Sequence, residues 1–144
     1  SGTFLPIRTN DINDHKMHDE WCEISKKSSK IINKAMENNN KVVAVGTTAL
    51  RTLESVALLK DKVVPWKGNT NLYIKPGFKF KVVDYLLTNF HLPKSTLLIL
   101  ISAFWGHKNV KKAYQYAIKN QYRFYSYGDC CLLPNKDLTN DKEI

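Results

Sequence analysis

The sequence predicts an α/β fold in which layered helices surround a mostly parallel sheet. Two stretches carry that prediction. Residues 42–45, Val-Val-Ala-Val, form a short, largely β-branched apolar run of the kind buried on both faces of a parallel sheet, with a helical pattern before and after it. Residues 80–105 repeat the order of strand, polar loop and apolar helix.

Taken in order, residues 1–20 hold turn and loop formers, and 21–24 alternate weakly as a short strand that ends at Ser25, a helix N-cap. From Lys26 to about Glu37 the apolar set Ile31, Ile32, Ala35 and Met36 falls on one helical face, with Lys26, Lys27, Lys30 and Lys34 turned elsewhere. Asn38-Asn39-Asn40 supplies a left-handed stop. After the strand at 42–45, a helix over about 47–59 opens directly behind Gly46. It puts Leu50, Leu53 and Ala57 on one side and turns Arg51, Glu54 and Ser55 away.

Residues 60–71 read as a loop, 72–74 as a short strand, Pro76-Gly77 as a turn and 80–87 as a further strand. Ser95 caps a helix through Trp105 that is apolar nearly all round and therefore buried between layers. A second helix, 108–121, is amphipathic: Val110, Ala113, Tyr114, Ala117 and Ile118 form its apolar stripe, and Lys108, Lys111, Lys112 and Lys119 face solvent or a polyanion. An aromatic stretch at 122–127 leads to a strand at 130–133. A polar tail, 134–144, is expected to be disordered.

Composition narrows the class of protein. The longest apolar run, residues 97–105, falls far short of the roughly 20 residues that span a bilayer. The first residues have neither the basic start nor the apolar stretch of a secretory signal, so a cytoplasmic location is expected. Cys22, Cys130 and Cys131 suit reduced thiols better than a disulfide framework. The formal charge of +9, from 22 Lys and Arg against 13 Asp and Glu, attracts phosphate backbones, although it also serves solubility.

Four places could carry chemistry. His15 and His18 lie three residues apart and would face one way on a helical turn, suiting proton transfer near neutral pH. A zinc site would need further ligands at another spacing, so no metal is expected. Gly46-Thr47-Thr48 stands at a strand-to-helix junction where free N–H groups and the helix dipole can hold an anion, helped by Arg51. It is neither a P-loop nor a dinucleotide fingerprint. The loop from Thr88 through Ser95 and Thr96 gathers polar groups, His91 and Asn89 foremost, where α/β sheets place ligands. Residues 122–129 mix Arg123 and tyrosines, Tyr127 among them, as a base-stacking surface would, and end in Gly128-Asp129. Each has a plain alternative: packed or exposed histidines, a threonine cap beside a surface Arg51–Glu54 pair, and core aromatics.

Together the blocks GTFLPI, DHKMHDEW, VVAVGTTALRTLES, LYIKPGFKFKVVDYLLTNFHLPKSTLL and YRFYSYGD resemble, in order and spacing, the S-adenosylmethionine:tRNA ribosyltransferase-isomerase family of queuosine biosynthesis. The resemblance runs from Ser1 to about Leu133, with departures such as Ala49-Leu50 where the family usually has Ser-Val. It implies the C-terminal part of an α/β domain over 1–133, lacking the family's β-barrel domain and its N-terminal strands. It also implies transfer and isomerisation of the ribosyl part of S-adenosylmethionine onto 7-aminomethyl-7-deazaguanine at the tRNA wobble position. The products are epoxyqueuosine, adenine and methionine, and the cosubstrate is consumed. On that reading His15, His18, His91 and Asp129 are the catalytic candidates. Gly46, Thr47, Thr48, Arg51, Asn89, Ser95, Thr96, Arg123 and Tyr127 are the binding candidates. The partners are tRNA and S-adenosylmethionine, with a monomer expected. A truncated, inactive tRNA-binding fragment is the alternative.

Overall fold

The computed structural model describes residues 17–140. Its elements run β1 (Glu20–Ile24), α1 (Lys26–Glu37), β2 (Val43–Val45), α2 (Thr47–Lys60), β3 (Trp66–Thr70), β4 (Tyr85–Asn89), α3 (Thr96–Trp105), α4 (His107–Lys119), β5 (Cys130–Pro134) and α5 (Lys136–Asn140). The α/β class stands. The sheet is mixed rather than mostly parallel: in the order β2-β4-β5, β2 pairs parallel with β4 and β4 antiparallel with β5. A separate antiparallel ribbon joins β1 to β3, with Glu20 opposite Thr70 and Ile24 opposite Trp66.

Local chemistry explains the helices. The Ser25 hydroxyl accepts the Ser28 N–H at the start of α1, and Asn39 at φ 55° turns the chain off its end. Ser95 does the same for α3, accepting from the Leu98 N–H while donating to the Leu92 carbonyl. Gly106, at φ 91°, is both the last cap of α3 and the first of α4, so the two helices meet at a sharp corner.

Helix α2 is the hub. It packs on β2 and β4 on one side and on the β1–β3 ribbon on the other. The polar residues expected to face outward are therefore enclosed: Arg51, Glu54 and Ser55 are all buried. Each finds partners. Glu54 accepts the backbone N–H groups of Lys81, Val82 and Val83 at 2.8, 3.1 and 3.0 Å. Burial pushes its carboxyl above the ordinary range, and those three donors pull it back. Ser55 donates to the Arg51 carbonyl and shares a hydrogen bond with Thr70. Because Glu54 takes up the N–H groups of 81–83, that stretch needs no ladder partner, and the strand expected over 80–87 begins only at Tyr85.

Three other expectations are revised. The stretch 72–74 is not a strand, although Ile74 is buried; the strand lies earlier, at Trp66–Thr70. β2 is buried on one face only, since Val43 and Val45 are exposed while Ala44 is not. The tail does not loosen at Pro134. Asn135 is buried, donates its side-chain amide to the Val83 carbonyl and its backbone N–H to that of Asp84, and leads into α5. A short polar stretch is thus held by backbone groups that no apolar pattern reveals. The core gathers Ala44, Leu50, Val56, Leu86, Leu100, Ile101, Phe104 and Leu133 between the sheet and helices α2 and α3. No helix among the described residues is long and apolar enough to cross a membrane.

Candidate active site at the ends of the parallel strands

Because β2 and β4 are parallel, their carboxyl ends emerge side by side, and the Gly46 N–H donates to the Leu87 carbonyl at 2.8 Å. Gly46 adopts φ 91°, a conformation that a side chain disfavours, and aims the chain straight into α2. No side chain caps that helix, so its first N–H groups and its dipole are available to a ligand. A cavity of about 210 Å³ opens there. Its wall comes from three separated segments: Gly46, Thr47 and Thr48; Thr88, Asn89, His91 and Ser95; and Tyr125 with Ser126.

His91 is held from two sides. Its Nε2 shares a hydrogen bond with the Thr88 hydroxyl at 2.9 Å, and its backbone N–H donates to the Tyr114 hydroxyl at 2.8 Å. Burial drives its pKa down to about 4, so the imidazole is uncharged at neutral pH. There it can accept a proton or hold a hydrogen bond, but it carries no proton to give as a cation. Desolvation also pushes the Cys131 thiol up to about 11 and Tyr114 up to about 12, so both are uncharged at neutral pH.

Asn89 lines the cavity and also shapes it. Its amide donates to the carbonyls of Gly128 and Asp129 at 3.3 and 3.2 Å, tying β4 to the 122–129 loop. That loop closes on itself through Gly128 N–H to the Tyr125 carbonyl and Asp129 N–H to the Arg123 carbonyl. A side chain at Gly128 would collide with the carbonyl oxygens of Arg123 and Phe124. Tyr125, at φ 70°, hangs its N–H on the Phe90 carbonyl, which brings its side of the loop to the cavity.

Several expected site residues lie elsewhere. Asp129 does not line the cavity: its carboxylate accepts the Arg123 N–H at 2.7 Å and pairs with the Arg123 guanidinium at 3.6 Å, holding the loop. Arg123 and Tyr127 are exposed on the outer side of that loop. Arg51 is not an open anion clamp. It is buried, and it donates from Nη1 to Glu20 at 2.7 Å and from Nε to the Leu72 carbonyl at 3.1 Å. Burial lowers its pKa, with the Glu20 carboxylate opposing. Glu20 also accepts the Thr48 hydroxyl at 3.3 Å, which links Arg51 to the cavity wall, while the buried Nη2 of Arg51 has no hydrogen-bond partner among the described residues. Thr96 is buried away from the cavity, and Ser95 serves chiefly as the α3 cap. His18 is exposed, and His15 lies outside the described residues.

Glu20 was not among the expected site residues, and Thr88, Tyr125 and Ser126 lay inside stretches read as candidate sites without being singled out for this cavity. Thr88 had a signal, since it begins the polar run ahead of His91; the others depend on long-range contacts. Among the described residues no group of three or more His, Cys, Asp or Glu is placed to hold a metal.

An α/β unit with an uncapped helix and a polar cavity at the carboxyl ends of parallel strands has the arrangement in which open-sheet α/β proteins place their ligands. Comparison with known proteins narrows this. Residues 1–133 match the family described as queuosine biosynthesis protein, and the chain belongs to that family. It is 54% identical over 133 residues to the S-adenosylmethionine:tRNA ribosyltransferase-isomerase of Gluconobacter oxydans, covering 92% of this chain and 38% of that protein. The same enzyme of Dichelobacter nodosus is 50% identical over 136 residues, covering 94% and 38%. The crystal structure of S-adenosylmethionine tRNA ribosyltransferase from Thermotoga maritima superposes with a TM-score of 0.74 at 46% identity, covering 78% of this chain and 39% of that one. The chain thus spans less than half the length of the relatives it matches.

Proposed function

We propose that this chain contributes the S-adenosylmethionine pocket of a tRNA ribosyltransferase-isomerase. The reaction moves the ribosyl part of the cosubstrate onto 7-aminomethyl-7-deazaguanine at the tRNA wobble position and releases adenine and methionine, giving epoxyqueuosine. The observation that carries the reading is the meeting of three separated segments, at Gly46, His91 and Tyr125, in one cavity.

Such chemistry needs a base for a proton made acidic by the neighbouring sulfonium, an acid for the departing adenine and an anchor for the methionine carboxylate. The uncapped start of α2, with Thr47 and Thr48, suits the carboxylate. Neutral His91, oriented by Thr88, suits the base. For the acid, the family resemblance offers His15 and His18. Asp129 acts by holding the loop that carries Tyr125. Arg123, Tyr127 and the lysines of α4 offer an outer surface for tRNA. A tRNA substrate supports a cytoplasmic location.

The alternative is a tRNA-binding fragment without catalysis. The test incubates the chain with precursor-bearing tRNA and S-adenosylmethionine and measures free adenine. Adenine release supports the enzyme. A salt-sensitive tRNA shift without adenine supports the fragment.

A further inference from the structure

Among the described residues, Asn39, Asp61, Lys94, Gln121 and Tyr125 have positive φ without being glycine. Asn39, Asp61 and Gln121 turn the chain off the ends of α1, α2 and α4, where a left-handed residue is ordinary, and Lys94 precedes the α3 cap with its side chain in solvent. Tyr125 differs. It sits at φ 70° with a bulky aromatic side chain, for which this backbone region is an outlier. The conformation is held on both sides: the Tyr125 N–H donates to the Phe90 carbonyl at 3.0 Å, and its carbonyl accepts the Gly128 N–H at 2.9 Å. The fold gains little from the ring itself. Phe90, Tyr114, Tyr122 and Phe124 pack ring against ring, with Phe90 only 4% exposed. Tyr125 is 55% exposed and reaches that cluster through an edge contact with Phe124 at 6.4 Å. Glycine or asparagine would take the same backbone more easily.

Strain that the surroundings over-determine is characteristic of positions where a side chain is presented to a ligand. Tyr125 lines the cavity at the ends of β2 and β4, together with apolar Phe90, Leu92 and Leu97 and polar His91 and Ser126. We infer that the Tyr125 ring is the stacking face for a purine-type base in this cavity, and that the left-handed turn serves to present it. A flat heteroaromatic ring gains from an aromatic face and apolar neighbours while its polar edge keeps hydrogen-bonding groups such as Ser126 and His91. An aliphatic ligand would be served as well by any apolar side chain in a relaxed backbone. The inference rests on the proposed function for the identity of the base: the adenine of S-adenosylmethionine and the 7-deazaguanine of the tRNA offer the same chemistry.

The test titrates adenosine, 7-aminomethyl-7-deazaguanine and methionine separately into the full chain by calorimetry, and repeats each with Tyr125→Phe, Tyr125→Asn and Tyr125→Gly. At least one of the two bases is expected to bind. Tyr125→Phe should keep that affinity within about threefold, and Tyr125→Asn and Tyr125→Gly should weaken it by roughly tenfold or more. Methionine, which has no base, should bind all four chains alike, and the urea midpoint of Tyr125→Gly should not fall. A loss confined to adenosine assigns the stacked base to the cosubstrate, and one confined to 7-aminomethyl-7-deazaguanine assigns it to the tRNA. Base binding indifferent to Tyr125→Gly overturns the inference and leaves the proposed function of the cavity standing. An equal loss of methionine, or a lowered midpoint, also overturns it, because the ring would then be a packing element of the loop. If the unsubstituted chain binds none of the three, the inference and the reading of the cavity fail together.

Discussion

Replacing Glu54 tests whether the chain's interior is organised around a buried carboxylate. Its two oxygens accept three backbone N–H groups, and two of the donors, on Val82 and Val83, belong to buried residues. Glu54→Ala strands those two donors, each at about 1–3 kcal/mol, and opens a void at a fully buried position, so a loss of about 3–5 kcal/mol is expected. Glu54→Gln keeps one oxygen for Val82 and Val83 but turns an amide toward the Lys81 N–H, so about 1–2 kcal/mol is expected. The pH dependence has a definite sign. A carboxyl whose pKa is raised on folding binds its proton more tightly in the folded state, so its contribution is greatest below the ordinary value of 4.5 and falls as pH rises through the window above it. Glu54→Gln should flatten stability across that window. Urea unfolding followed by circular dichroism between pH 4 and 7 measures both effects. A loss below about 1 kcal/mol for Glu54→Ala would refute the assignment of 81–83 to this carboxylate.

Other perturbations separate structure from site. Arg51→Ala leaves Glu20 beside a vacated buried site and should cost about 3 kcal/mol in chemical denaturation; a stable variant with impaired ligand binding would restore Arg51 as an anion clamp. Gly128→Ala drives a methyl into the carbonyls of Arg123 and Phe124, so the 122–129 loop should shift, with S-adenosylmethionine affinity falling at least fivefold by calorimetry while the far-UV spectrum is kept. His91 is neutral when folded because its pKa is depressed to about 4, so it costs stability as pH falls from its ordinary 6.5 toward that value. His91→Gln should remove that slope, seen as a denaturation midpoint less sensitive between pH 6.5 and 4.

What the sequence disclosed depended on how local the cause was. Ser25 and Ser95 cap their helices through contacts three residues away, and the Gly46 junction is a matter of adjacent residues, so all three were legible. The β1–β3 ribbon was only half legible. Trp66–Thr70, Trp-Lys-Gly-Asn-Thr, has little apolar alternation, and its strand state is imposed by β1. Helix α2 misled because a periodic apolar stripe implies a wet opposite face, whereas here a second layer and the 81–83 backbone bury Arg51, Glu54 and Ser55. β2 misled in the opposite sense, since an apolar run does not say whether a covering layer is present. In the site, Gly46, Thr47, Thr48, Asn89 and His91 did converge, but nothing in the residue types revealed that Asn89 would hold the loop carrying Tyr125, or that Arg51 would be spent on Glu20.

The measurement that bears most directly on the central claim is a titration of S-adenosylmethionine into the isotopically labelled chain, followed by amide chemical shifts. If the cavity at the ends of β2 and β4 is the cosubstrate pocket, the saturable shifts should centre on Gly46, Thr48, Asn89, His91 and Tyr125 and disappear in a Thr48→Val, His91→Gln double variant. Shifts that centre on α1 or on the β1–β3 ribbon, or the absence of any saturable shift, would contradict it.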